Sequence, residues 1–282
     1  MLKKAKYYAI YILLQRCRAI TLPIKLHECI VNYHKLMSIF GLIFLMLFSH
    51  VTNANVDPSE DIDSEYHLSV VTENWYPFNY LDENGVLTGR STELVKAILE
   101  HANIPFEIRV YPWQRSYSLA RTQKNTLIYS IFRTPIREEL FHWVCPISKK
   151  AIHSVYKLSK RVDIKINSKN DLSNYSINVT RGTFPHEFFL GKGMEEGVNL
   201  QLTATNEANL LMLIKNRVDL IVEVEVGVFQ LLKGLGLPAD TIEKAYTFDE
   251  MNQAQSCMAI SKGTPQHIIE KIKQSHKALY LD

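Results

Sequence analysis

Arg137 has a side chain suited to hold an acidic ligand, because its planar guanidinium can donate two parallel hydrogen bonds to one carboxylate. It follows Thr134 and Pro135, and proline is favoured at the first position of a helix. Arg137 would then lie in a first helical turn. An exposed helical arginine that binds no ligand is the alternative that this chemistry leaves open.

Hydroxyl and aromatic side chains are the next candidates for ligand contact. Ser130 and Phe132 lie at the carboxyl end of a predicted strand, where parallel sheets open into a binding crevice. Thr183 precedes a predicted helix, so its hydroxyl can either add to anion binding or act only as an N-cap. Trp75 and Tyr76 can lie over a ligand or belong to the core.

The motifs of common catalytic and cofactor sites are absent from the sequence. There is no Gly-x-Ser-x-Gly elbow, no His-Glu-x-x-His and no paired-cysteine metal spacing. Gly191, Gly193 and Gly197 lack the spacing of a dinucleotide-binding loop. We therefore expect no cofactor, no metal ion and no catalytic residue.

The composition is typical of a soluble globular protein, with 46% hydrophobic and 22% charged residues. The net charge of +3 comes from the first 54 residues, which hold seven of the 32 basic residues and one of the 29 acidic residues. The rest of the chain is mildly acidic, whereas nucleic-acid binding requires clustered Lys and Arg. We therefore expect no nucleic-acid partner.

Residues 1–54 have the pattern of a secretory signal peptide. An apolar stretch at residues 39–48 follows basic residues and precedes small residues that end at Ala54. It is shorter than the roughly 20 apolar residues of a membrane span, and an uncleaved anchor is the alternative. We expect cleavage after Ala54, with Met37 as a second candidate start, and a polar linker at residues 55–64.

Strands and helices alternate along the rest of the chain. Apolar residues repeat at helical spacing over residues 91–102, with Ser91 as the expected N-cap. Residues 67–72 and 218–222 have instead the composition of strands. This alternation predicts an α/β fold with mostly parallel sheets. The two cysteines of this region, Cys145 and Cys257, can form one disulfide or remain separate buried thiols.

Four sequence segments occur together in the order and spacing of a known family. They are Trp-Tyr-Pro-Phe at 75–78 with the following turn and Leu-Thr-Gly up to 89, Thr-Pro-Ile-Arg-Glu at 134–138, Arg-Gly-Thr at 181–183, and Asn-Arg-Val-Asp at 216–219. The chain resembles the family 3 extracellular solute-binding proteins, the receptors of polar amino-acid ABC transporters. The resemblance covers about residues 66–275.

This resemblance implies a periplasmic-binding-protein-like (type II) α/β fold with two lobes, two hinge strands and a central cleft. Lobe one would hold residues 65–147 and 255–282, and lobe two residues 148–254. Ligand would draw the lobes together by hinge closure. The implied protein is a periplasmic monomer, and its implied partners are a small-molecule ligand and an ABC transporter permease or a membrane sensor.

The resemblance also assigns roles to single residues. Arg137 matches the arginine that holds the ligand carboxylate, and Trp75 or Tyr76 matches the aromatic residue that lies over the ligand. Ser130 and Phe132 match positions of hydroxyl and backbone contacts. Thr183 follows the strand of the second lobe that leads into the cleft.

One position departs from the family pattern. The relatives hold the ligand ammonium with an aspartate in lobe two, and Val224 stands at that position. Neighbouring strand residues point in opposite directions, so neither Glu223 nor Glu225 simply replaces the missing acid. A solute without an α-ammonium is favoured, and the alternative is a cation displaced towards Glu73 or Glu223.

These observations predict an exported solute-binding protein that captures a small carboxylate-bearing or amino-acid-like solute for ABC transport or for sensing. The alternative function is that of a dehydratase-like enzyme on the same fold, acting on a cyclic carboxylate.

Overall fold

The structure is a computed structural model that describes residues 66–148 and 151–280. The predicted signal peptide, residues 1–54, and the predicted linker, residues 55–64, lie outside the described residues. No helix within the described ranges is long and apolar enough to cross a membrane.

The strands and helices alternate as predicted. In chain order they are β1 (Leu68–Thr72), β2 (Tyr80–Leu81), β3 (Leu87–Thr88), α1 (Arg90–His101), β4 (Phe106–Val110), α2 (Trp113–Thr122), β5 (Thr126–Phe132), β6 (Phe141–Val144), β7 (His153–Leu158), β8 (Ile177–Thr180), α3 (Phe184–Gly191), β9 (Leu200–Thr203), α4 (Asn206–Ile214), β10 (Leu220–Val224), α5 (Glu225–Gly234), β11 (Ile242–Thr247), β12 (Ser256–Ser261) and α6 (Gln266–Tyr280).

Two five-stranded sheets organise these elements. The first has the strand order β4-β1-β5-β12-β6, and the second has the order β11-β7-β10-β8-β9. In the first sheet β1 runs parallel to β4 and β5, whereas β12 runs antiparallel to β5 and β6. In the second sheet β8 runs parallel to β9 and β10, whereas β7 runs antiparallel to β10 and β11. The prediction of mostly parallel sheets was therefore wrong, because β12 and β7, the strands that follow the two crossings, run against their neighbours.

Each sheet forms a lobe with the helices that cover it. Lobe one here denotes the first sheet with α1, α2 and α6, and lobe two denotes the second sheet with α3, α4 and α5. The chain crosses between the sheets twice, from β6 to β7 and from β11 to β12. The predicted lobe boundaries, after residues 147 and 254, fall in these crossings, and we propose them as the boundaries.

Both faces of each sheet are buried, because helices cover both. In β1, Leu68 and Val70 pack with α1 and α6, whereas Val71 packs on the opposite face with α2. In β10, Val222 and Ile221 divide in the same way between the two cores of lobe two. This alternation follows from the two-residue period of a strand and explains why apolar residues occur on both faces of these strands.

Two local predictions were wrong. Ser91 lies inside α1, and the N-cap is Gly89 at φ 112°. A Cβ at Gly89 would lie 2.5 Å from the carbonyl oxygen of Phe78, so the close approach of the two chain segments requires glycine. Residues 134–138 do not begin an α-helix, because only a short 3₁₀ turn, Glu138–Leu140, forms after Arg137.

Cys145 and Cys257 form a disulfide, which decides the question that the sequence left open. Cys145 follows β6 at the start of one crossing, and Cys257 lies in β12 just after the other. The disulfide therefore links the two crossings, and the chain between its cysteines includes all of lobe two.

Candidate functional site

A cavity of about 40 Å³, partly open to solvent, lies between the two sheets. Seven of the eight sequence-predicted site residues line it: Glu73, Trp75, Ser130, Phe132, Arg137, Thr183 and Glu223. The sequence did not identify its other lining residues, which are Trp113, His153, Thr180, Phe184, Pro185, Asn206 and Val222.

Tyr76 is the predicted residue that does not line this cavity. Its ring packs on Tyr80 at a centroid distance of 4.7 Å, and it borders a separate opening beside α5. Trp75 is therefore the aromatic residue of this pair that faces the cavity.

Ser130 reaches the cavity through an irregularity in β5. The register with β12 shifts at this point, so that Ile131 pairs with Cys257 and Tyr129 with Met258, and Ser130 has φ of 60°. Such a bulge re-aims a side chain at a cost in backbone strain. The Ser130 hydroxyl is buried and lacks a hydrogen-bond partner in the described chain, as expected of a group that awaits a ligand.

Aromatic rings form one wall of the cavity. Trp75 stacks on Phe78 at 4.2 Å, and Phe132 packs within 6.0 Å of Trp75 and 5.2 Å of Phe184. His153 joins this group at 5.3 Å from Phe132. Burial lowers the pKa of His153 to about 4, against the opposing effect of a backbone hydrogen bond, so its ring is uncharged at neutral pH.

Glu223 brings a carboxyl group to the cavity from β10. It is 6% exposed, and its Oε1 accepts a hydrogen bond of 2.7 Å from Nδ2 of Asn209 in α4. Burial raises the pKa of Glu223 to about 8, although the Asn209 hydrogen bond lowers it, and the charge of Glu73 raises it further.

Glu73 brings a second carboxyl group from the segment that follows β1. Burial raises the pKa of Glu73 to about 8, and the positive charge of Arg137 offsets part of this rise. Among the described residues, no hydrogen bond or ion pair within the usual distance limits reaches its carboxylate. Two acidic side chains, one from each lobe, thus face the same small space.

The two residues that follow Glu223 in the chain do not line this cavity. Val224 packs in an apolar cluster with Trp75 and Phe132 at the end of β10, and Glu225 forms an ion pair of 2.8 Å with Lys244. Of these three positions, Glu223 is the one that lines the cavity, and its preceding neighbour Val222 lines it as well.

Arg137 is fully buried and spans the lobes. Its Nε donates to Glu187 Oε1 at 2.8 Å, its Nη1 to the Phe132 carbonyl at 3.2 Å, and its Nη2 to the Gly182 carbonyl at 3.0 Å. Trp113 Nε1 also donates to the Gly182 carbonyl at 2.6 Å. These contacts join β5 and α2 of lobe one to the loop that precedes α3 of lobe two.

Thr183 is the N-cap residue of α3, but its side chain makes no capping hydrogen bond. Its hydroxyl instead donates to the Thr180 carbonyl at 2.6 Å. Asn206 accepts a hydrogen bond of 2.8 Å from the Thr180 hydroxyl. These three polar side chains line the lobe-two side of the cavity. In the part of the chain that the structure describes, no group of three or more His, Cys, Asp or Glu residues is arranged to hold a metal ion.

Comparison with protein families decides the classification of this fold and cavity. The family model for bacterial extracellular solute-binding proteins, family 3, matches residues 68–280. The chain belongs to this family. The predicted family and the two-lobed type II fold are thereby confirmed for this solute-binding protein. No curated protein sequence matches it significantly.

Solved structures similar to this solute-binding protein share its fold. A histidine kinase sensor domain with similarity to periplasmic binding proteins is 19% identical, with a TM-score of 0.65 over 77% of this chain and 91% of that one. An ancestral arginine-binding protein bound to arginine is 21% identical, with a TM-score of 0.64 over 77% and 93%. The arginine-, lysine-, histidine-binding protein ArtJ from Geobacillus stearothermophilus is 17% identical, with a TM-score of 0.63 over 76% and 90%.

The contact between the lobes makes Gly182 sensitive to substitution. Gly182 has φ of 69°, and a Cβ there would lie 1.9 Å from Gln114 Nε2. We expect Gly182→Ala to lower the free energy of unfolding by about 1–2 kcal/mol, the cost of the left-handed conformation for alanine. Urea denaturation measures this change. Gly191→Ala is the matched control, because nothing lies within 4 Å of its Cβ, and equal losses in both variants would contradict the prediction.

Proposed function

We propose that this solute-binding protein is exported to the periplasm and captures a small cationic solute between Glu73 and Glu223. It would act as a monomer that delivers the solute to an ABC transporter permease or presents it to a membrane sensor. The observation that carries the proposal is the pair of cavity-facing carboxyl groups, neither of which has a positively charged side chain within ion-pair distance among the described residues.

A cation relieves the main unfavourable feature of the empty cavity. Burial disfavours the ionised form of both carboxyl groups. A bound ammonium or guanidinium would favour that form, because opposite charges attract strongly where water is excluded. The aromatic wall of Trp75 and Phe132 supports the same ligand class, since a cation is also attracted to the face of an aromatic ring.

The two carboxyl groups would couple capture to closure. Glu73 belongs to lobe one and Glu223 to lobe two, so one small cation contacts both only when the lobes approach each other. A ligand that binds the closed state better than the open state shifts the population towards closure. The same site would thus generate the signal that a transporter or sensor recognises.

A thermal-shift screen of the mature protein tests this proposal. We expect amines and guanidinium compounds to raise the melting temperature, by about 5–10 °C at a concentration 100-fold above Kd. Simple carboxylates of the same size, which bring no cation, serve as controls. If only simple carboxylates raise the melting temperature, the cation site is refuted, and a carboxylate-bearing solute held by Arg137 is favoured.

A dehydratase-like enzyme is the second candidate, because two carboxyl groups with raised pKa values can accept and donate protons. The compound that gives the largest thermal shift is incubated with the protein and followed by NMR. We expect it to be recovered unchanged, and conversion to a product would favour the enzyme.

A further inference from the structure

Glu187 of α3 fills a place that a ligand carboxylate would otherwise take. Its Oε1 lies 2.8 Å from both Nε and Nη2 of Arg137. Its Oε2 accepts a hydrogen bond of 3.1 Å from the Thr134 hydroxyl. Both oxygens of this carboxylate are therefore used, and all of the partners lie in lobe one.

The other N–H groups of Arg137 are also occupied, so neither edge of its guanidinium is open to a second carboxylate. A guanidinium has two edges from which a pair of parallel N–H groups can reach a carboxylate. Glu187 takes the Nε/Nη2 edge, and the carbonyl oxygens of Phe132 and Gly182 take the Nη1/Nη2 edge. A ligand carboxylate could bind Arg137 in the two-pronged manner only by displacing one of these groups.

Such displacement is unfavourable because the ion pair is buried. The Arg137 side chain is 0% exposed and that of Glu187 is 16% exposed. Separating a buried pair leaves a desolvated charge without a partner. A ligand carboxylate would have to make the same hydrogen bonds to Arg137 that Glu187 makes. It would also have to offset the repulsion from the displaced Glu187 carboxylate, which would remain nearby.

We infer that Glu187 is a specificity-determining residue that satisfies Arg137 from within the chain, so that the cavity accepts amines or guanidinium compounds without a carboxylate group. The inference rests on the proposed capture of a cation by Glu73 and Glu223. Arg137 then holds the closed lobes together, and the carboxyl groups of Glu73 and Glu223 alone select the solute.

Matched ligand pairs test this selection, since each pair keeps the cation and differs in the carboxylate. Calorimetry compares agmatine with arginine, cadaverine with lysine, and histamine with histidine. We expect the wild-type protein to bind the decarboxylated member of at least one pair about tenfold more tightly or better. In Glu187→Ala, the vacated arginine should raise the affinity for the amino acid by about 10- to 150-fold, the range for hydrogen bonds to a charged group.

A second measurement does not depend on the cation site. Acetate should fill the space left in Glu187→Ala and raise its melting temperature, while it leaves the wild type and the surface control Glu270→Ala unchanged. Glu187→Gln keeps the shape of the side chain and serves if the alanine variant does not fold. It should show a smaller gain in amino-acid affinity.

The possible outcomes separate the two proposals. Tighter binding of the amino acids than of the amines by the wild type, or no gain and no acetate effect in the Glu187 variants, would overturn the role of Glu187. Acetate rescue without binding of any member of the three pairs would overturn the cation site and leave the pairing of Glu187 with Arg137 as a carboxylate position.

Discussion

Replacing Glu73 and Glu223 together by glutamine is expected to lower the affinity for a cationic solute by about 150- to 5000-fold. This range corresponds to the 3–5 kcal/mol lost when one side of a buried ion pair is removed. Glutamine keeps the side-chain shape and can still accept the Asn209 hydrogen bond at position 223. Calorimetry with the best amine from the thermal-shift screen measures the loss.

The matched control is Glu225→Gln, which removes one negative charge from a side chain paired with Lys244 on the surface. We expect it to bind the amine with wild-type affinity within about threefold, because exposed ion pairs contribute little. Equal affinities of the double variant and the wild type would exclude the two carboxyl groups from the site.

The same pair of carboxyl groups should make binding depend on pH. Their pKa values in the empty cavity are about 8, whereas the unfolded values are near 4.5, so the folded protein holds extra protons between these limits. The empty protein should therefore lose stability as the pH rises from about 6.5 to about 8, because below this interval the lowered pKa of His153 acts in the opposite direction. A cation favours the ionised forms, so its affinity should rise over the same interval.

The expected rise in affinity is about 100-fold between pH 6 and pH 8 for each proton released on binding. His153 contributes nothing in this interval, because its pKa is lowered to about 4. Calorimetry in buffers of different ionisation enthalpy counts the released protons. The double glutamine variant should show neither trend, and an affinity that is constant with pH in the wild type would contradict the assignment.

Removal of the disulfide should have the second large effect, on stability. The bridge joins residues separated by 112 positions, and a loop of this length restricts the unfolded chain strongly. We expect Cys145→Ala combined with Cys257→Ala to lower the free energy of unfolding by about 2–5 kcal/mol and the melting temperature by about 5–15 °C. Thermal denaturation followed by circular dichroism measures both.

Reductant provides the control for this prediction. It should lower the melting temperature of the wild type and leave that of the double alanine variant unchanged. Ligand affinity should change little, because neither cysteine lines the cavity. A wild-type melting temperature that does not respond to reductant under denaturing conditions would refute the stabilising role of the bridge.

The alternation of strands and helices was predictable from the sequence because it depends on local periodicity. The helical spacing over residues 91–102 corresponds to α1 with a one-residue shift. Short segments such as Thr-Pro-Ile-Arg-Glu at 134–138 and Arg-Gly-Thr at 181–183 identified the family that the comparison confirms. The N-cap of α1 was wrong because a contact between distant backbone segments, at Gly89 and Phe78, overrides the preference of Ser91 for the cap.

The orientation of side chains in the cavity could not be predicted in the same way. Alternation along β10 predicts that Glu223 and Val224 diverge, but which of them faces the cavity depends on how lobe two is turned towards lobe one. Ser130 faces it because β5 bulges against β12, and a bulge depends on the partner strand rather than on the strand that contains it.

The sequence by itself therefore determined the order of the elements, the family and half of the residues that line the cavity, since these follow from local patterns. The tertiary structure alone decided that Arg137 is paired with Glu187. These residues are 50 positions apart and lie in different lobes. Their contact forms only when the two sheets approach each other, and no local pattern in the sequence reports on that approach.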